Sequence, residues 1–121
     1  MKPQNYSHNE SMNSNLENIF ALKMRNMKTD YQYRIITNIK RLREKAGYSQ
    51  ADIAKVLGIS TGQLGHIESY KQSHKYTLSQ IIKICDTLKI SIDKIFFYDD
   101  INQNITHRML IDKIIEYQNN K

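Results

Sequence analysis

The stretch from Gln50 to Glu68 restricts the possible folds of this chain more than any other. Ser49 offers a hydroxyl just before an apolar set of Ala51, Ile53, Ala54 and Leu57, as a helix N-cap does. Gly58 ends that set at a point where the backbone can turn left-handed without cost from a side chain. Ser60 then caps a second helix whose apolar positions are Leu64 and Ile67. Two short helices joined this tightly cross at about 100°. They need a small residue where they touch, which Ala54 supplies, and a filled wedge, which Ile59, Leu64 and Ile67 supply. Thr61, Gly62, Gln63 and His66 are left facing outward near the start of the second helix.

Apolar residues continue at steps of three and four on both sides. Ile35, Ile36, Ile39 and Leu42 form one face of a helix running from Tyr33 to near Gly47, with Arg34, Lys40, Arg41, Arg43 and Lys45 at the other positions. A basic loop from Tyr70 to Tyr76 precedes Thr77, the expected cap of a helix with core face Leu78, Ile81, Ile82, Cys85 and Leu88. Ser91 is the expected cap of a short fifth helix through Ile92 and Ile95 to Phe96 and Phe97. Asp99 and Asp100 supply acid at the start of a last helical stretch bearing Ile101, Ile105, Leu110, Ile111, Ile114 and Ile115. Asn and Ser dominate residues 1–14, which read as a mobile tail, and Leu16, Ile19, Phe20, Met24 and Met27 recur at helical spacing after it. The expected fold class is all-α, with an Asn/Ser-rich segment able to carry a short helix over 1–30, a five-helix domain over 31–98 and an extra C-terminal helix over 99–121.

Composition narrows the function. At 121 residues the chain suits one domain, and its single cysteine excludes an internal disulfide and a Cys-based zinc module. No apolar run approaches the roughly 18 residues of a membrane span, and Met1 to Asn9 lacks a signal-peptide stretch, so a cytoplasmic location is expected. His8, His66, His74 and His107 share no ligand spacing, so neither a metal nor another cofactor is expected. Nothing resembles a nucleophile elbow, a phosphate-cradling glycine loop or a carboxylate pair, which argues against an enzyme. The net charge of +6 favours a polyanionic partner. It belongs to the middle: residues 33–98 hold eleven basic and five acidic groups, while residues 1–32 balance to +1 and 99–121 to −1.

From Arg34 to Phe97 the chain resembles the Cro and phage-repressor type (XRE) helix-turn-helix family of bacterial and phage transcription regulators. The resemblance rests on Ile39-Lys40-Arg41-Leu42-Arg43-Glu44, Ser49-Gln50, Gly58-Ile59-Ser60, Ile67-Glu68 and the tail Ile84-Cys85-Asp86-Thr87-Leu88-Lys89-Ile90-Ser91. It implies a lambda-repressor-like domain that binds double-stranded DNA in a sequence-specific way, as a repressor and a homodimer. A helix in the major groove reads base edges with its outward residues, here Thr61, Gly62, Gln63 and His66, and Gln63 suits a bidentate contact to adenine. The resemblance further implies a phosphate contact by Gln50 at the start of its helix, with Ser49 and Ser60 assisting. Lys71, His74, Lys75 and Tyr76 are candidates to clamp the flanking backbone. The family also pairs Arg43 with Glu68 as a structural ion pair.

Two features depart from the family. Gly62 and Gly65 each cost roughly 1 kcal/mol inside a helix, which predicts a helix that is loose until DNA orders it. Ser69 and Tyr70 stand where relatives commonly place a capping glycine, and the loop that follows is longer. Ile92, Phe96, Ile111, Ile114 and Ile115 exceed what a small core needs, so the last helix either dimerises the protein or folds back on its own domain. A reading of another class is an antitoxin or similar sequestering protein, which captures a partner protein with residues 1–28 and uses the same fold for autoregulation. In that segment Lys23, Arg25 and Lys28 are also candidates to reach DNA.

Overall fold

Ser and Thr hydroxyls decide where most helices of this chain begin. The computed structural model describes residues 15–19, 27–100 and 104–119. Its helices are α1 (Asp30–Lys45), α2 (Gln50–Leu57), α3 (Thr61–Glu68), α4 (Leu78–Leu88), α5 (Asp93–Phe96) and α6 (His107–Gln118), with a further helical segment at residues 15–19. Thr29, Ser49, Ser60 and Thr77 each accept a bond from the backbone N–H three residues on. The side chains of Gln32, Asp52, Gln63 and Gln80 reach back to the respective cap N–H. Each reciprocal box satisfies two donors that a helix start would otherwise leave orphaned. Gly58 ends α2 at φ 70, ψ 30, the left-handed conformation the tight turn requires.

Several boundaries and faces differ from the sequence expectations. The Thr29/Gln32 box starts α1 three residues before Tyr33. Ser91 does not cap α5, which has Ile92 at its N-cap and no side-chain cap bond. The last helix starts at His107, capped by Thr106, so Asp99 and Asp100 precede it instead of opening it. On α4 the inward residues are Ile81, Ile84 and Cys85, and Ile82 is 49% exposed, because positions three and four apart share a face and Ile82 falls off that stripe. Ala51 is likewise exposed on α2. The tail expected over residues 1–14 lies outside the described residues, as does most of the helix expected through Met27, of which residues 15–19 are helical with Leu16 and Ile19 exposed.

The core draws on α1 to α6: Ile35, Ile36 and Ile39 from α1, Ile53 and Ala54 from α2, Leu64 and Ile67 from α3, Ile81, Ile84 and Cys85 from α4, Ile95 and Phe96 from α5, and Tyr117 from α6. Burial pushes the Cys85 thiol up to about 11, so it behaves as a small apolar residue. Asn38 joins α1 to α5 by donating to the Ile95 carbonyl at 2.9 Å. Among the described residues no helix is long and apolar enough to cross a membrane.

The last helix folds back on its own domain. Tyr117 is fully buried, packs edge-on against Phe96 with ring centroids 6.0 Å apart, and donates its hydroxyl to the Tyr76 carbonyl at 2.8 Å. The Gln32 amide, also buried, donates to the carbonyls of Tyr117 at 2.7 Å and Asn119 at 2.8 Å. Phe96 is therefore core rather than interface, and Ile92 and Ile114 pack partly against the core, while Ile111 and Ile115 remain about half exposed. Tyr117→Ala is expected to destabilise the fold by about 3–5 kcal/mol through cavity formation. Tyr117→Phe, which removes only the hydroxyl, is expected to cost about 1 kcal/mol, both read from urea unfolding.

Candidate nucleic-acid interface

The turn between α2 and α3 sets the position of the outward residues. Leu64 and Ile67 bury one side of α3, and this rotation leaves Thr61, Gly62, Gln63 and His66 exposed together on the other. Gln63 has a second task, because its Oε1 accepts from the Ser60 N–H at 2.9 Å. A carbonyl oxygen has two lone pairs, so the same Oε1 can accept again while both Nε2 hydrogens stay available. The Ser60 and Ser49 hydroxyls are engaged as caps, accepting from the backbone N–H groups of Gln63 and Asp52 at 3.0 Å each.

Beneath this face lies a buried charged cluster. Arg43 Nε donates to Glu68 Oε2 at 2.7 Å and Nη2 to Oε1 at 2.8 Å, with both side chains about 5% exposed or less. Arg43 Nη1 also donates to the Tyr48 carbonyl at 2.9 Å, and Gln50 Nε2 donates to Glu68 Oε1 at 2.9 Å. The carboxylate thereby joins the end of α3 to α1 and to the first residue of α2. Burial alone pushes the Glu68 carboxyl up, but the bonds from Arg43 and Gln50 and the charges of Arg43 and Lys40 outweigh it, holding the group below its ordinary value. One Gln50 amide hydrogen is used here and the other is left for an acceptor outside. Asp52 places a carboxylate in the same first turn, held below its ordinary value chiefly by the Ser49 N–H. That charge opposes an anion at the start of α2, whose N–H groups at Gln50 and Ala51 have no partner within the helix.

The loop after α3 returns alongside it. The His74 ring lies 5.2 Å from that of His66, so the loop borders the outward face. Lys71 is exposed. Lys75 is half-buried, with its ammonium 5.9 Å from the centre of the Tyr117 ring, and burial holds its pKa below the ordinary lysine value. Tyr76 does not belong to this set: it is 1% exposed and packed in the core, out of reach of any phosphate, with its carbonyl taken by Tyr117.

One residue of this region has a role other than the one expected of it from the sequence. Lys28, 8% exposed, donates from Nζ to the carbonyls of His66, at 3.3 Å, and Ile67, in the last turn of α3. It faces protein, not solvent, and so is not a residue that reaches DNA. Two signals pointed to it: the Thr29-x-x-Gln32 start signature directly after it, and the missing glycine after Glu68, which leaves the end of α3 in need of a donor.

Residues 39–95 match the family model described as Helix-turn-helix. No curated protein and no solved structure matches the chain. Removing either partner of the buried pair strands the other charge, so Arg43→Ala and Glu68→Ala are each expected to cost about 3–5 kcal/mol in urea unfolding. Because the folded-state pKa of Glu68 is depressed, its contribution is full above the ordinary carboxyl value of 4.5 and is lost as pH falls through the lower folded value. The stability gap between wild type and Glu68→Gln is expected to narrow over that acid range.

Proposed function

Because residues 39–95 belong to the helix-turn-helix family, here of the Cro and phage-repressor type found in DNA-binding transcription regulators, we propose that the protein reads a specific double-stranded sequence through the outward face of α3 and acts as a cytoplasmic repressor. One observation carries this reading: Thr61, Gly62 and Gln63 in the first turn and His66 in the last stand exposed on one side of a helix whose C-terminal end is held to α1 by a buried, bidentate ion pair. A groove-reading helix needs that combination of bare side chains on a fixed backbone. In this reading Gln63 accepts from the adenine amino group and donates to N7. Gln50, oriented by Glu68, offers its second amide hydrogen to a phosphate, and Ser49, Ser60, Lys71 and Lys75 add backbone contacts that position the domain.

A single domain of this size buries too little DNA for tight binding, which favours a homodimer on a palindrome. Ile111 and Ile115, one turn apart and about half exposed on α6, are the proposed dimer surface. Ile111→Glu together with Ile115→Glu is expected to yield a folded monomer by light scattering, since both residues lie outside the core.

The deciding experiment is selection of bound duplexes from a random pool at about 150 mM salt, which suppresses nonspecific phosphate binding. Enrichment of a palindrome supports the reading, and no enrichment overturns it. On the selected duplex, Gln63→Glu keeps an acceptor for the Ser60 N–H yet has no donor for adenine N7, so base preference at one position is expected to change by about 1–3 kcal/mol. Lys71→Ala is expected to weaken binding evenly across sequences and to flatten the salt dependence by about one unit of slope.

A second reading, sequestration of a partner protein, draws support from the exposed Leu16 and Ile19 on the helical segment at residues 15–19. Its test is deletion of residues 1–26, which leaves Lys28 in place. Loss of a co-purifying protein with operator binding intact favours it, and unchanged co-purification counts against it.

A further inference from the structure

We propose that Lys28 is a positioning residue for DNA recognition, closing the C-terminal end of α3 so that the backbone beneath His66 is held in place; the proposal rests on the DNA-binding reading above. The need for such a residue follows from α3 itself. The helix is eight residues long and contains Gly62 and Gly65, whereas an isolated helix is marginal even at about 12–15 residues of good formers. Its start is well capped by Ser60 and Gln63. Its end is not: Ser69 is extended, at φ −85 and ψ 134, instead of left-handed, and the cap contributes only a 3.3 Å bond from its N–H to the His66 carbonyl.

Lys28 fills that gap from 38 and 39 residues away. Its ammonium donates to two of the carbonyls an α-helix leaves orphaned, at the negative end of the helix dipole. The side chain is buried, and its neighbour Thr29 caps α1, so the donor comes from a fixed point. Burial lowers its pKa to about 8, which keeps the amine largely protonated at neutral pH. The last turn of α3 is thus held twice by residues at either end of α1, through its backbone by Lys28 and through the Glu68 side chain by Arg43. The His66 carbonyl that Lys28 binds belongs to one of the four outward residues, so slack there moves a side chain on the reading face.

The test uses the full chain with Lys28→Met, which keeps the apolar stem and removes the donors. Residue-resolved amide hydrogen exchange and binding to the selected and to a random duplex are measured at one salt concentration. Exchange of the amides in the last turn of α3 is expected to rise about tenfold while α1 and α4 stay as protected as before. Affinity for the selected duplex is expected to fall about tenfold, with random duplex within about twofold. Gly65→Ala, whose added Cβ meets nothing within 4 Å, is expected to restore protection of α3 in the Lys28→Met background. Unchanged exchange in α3, or an equal rise across α1, α3 and α4, overturns the proposal, as does a loosened α3 that binds the selected duplex as tightly as wild type. A wild-type chain that selects no duplex defeats the DNA-binding reading instead, and the exchange measurement then still decides whether Lys28 holds the helix.

Discussion

Arg43 and Glu68 carry full charges into a space almost without water, and the large desolvation cost of doing so is offset only because the guanidinium fork meets the carboxylate squarely and the remaining polar atoms are used as well. Tyr48 takes the third Arg43 donor and Gln50 supplies another to Glu68. Three consecutive helices therefore share one set of hydrogen bonds. Small shifts of α2 or α3 against α1 would leave a charge or an amide unpaired in the interior, a cost that favours one mutual orientation. The apolar wedge of Ile59, Leu64 and Ile67 supplies the bulk of the packing, and the charged cluster supplies the exact angle.

The two ends of α3 consequently have opposite characters. At the N-terminal end, the bonds of the Ser60/Gln63 box are made on the surface and leave side chains bare. At the C-terminal end, Glu68 and the last carbonyls are gripped from inside the protein. The glycines at 62 and 65, which weaken the helix by propensity, sit between two anchored ends. The looseness expected from those glycines is opposed by both anchors and by the packing of Leu64 and Ile67, since helical stability in a protein comes mostly from tertiary packing.

Much of the fold was legible in the residues because its signals are local. Ser49, Ser60 and Thr77 marked three helix starts, Gly58 the turn, and the steps of three and four the buried faces. The misjudged features depend on contacts distant in sequence. Tyr76 looked like a loop residue beside lysines, but α6 covers it from 41 residues away. Lys28 was read as a candidate to reach DNA, since the missing glycine after Glu68 signals an open helix end but not that its donor stands 38 residues upstream. Ile82 was a different error, one of helical phase: a run of isoleucines offers several stripes, and packing chose Ile81, Ile84 and Cys85. On the outward face, the exposure of Thr61, Gly62, Gln63 and His66 was legible because burying Leu64 and Ile67 turns the opposite side of the helix to solvent.

Gln32 sits at the beginning of the domain, yet its amide is satisfied by carbonyls 85 and 87 residues later. A chain emerging from the ribosome at about 5–20 residues per second can assemble α2, α3 and α4 from near neighbours, but that amide and the core slot for Tyr117 stay open until the last turn of α6 has emerged. Without Tyr117 the Phe96 ring loses its edge-on partner, the Tyr76 carbonyl its donor and the Gln32 amide one of its two acceptors, so the first helix of the domain depends on the last.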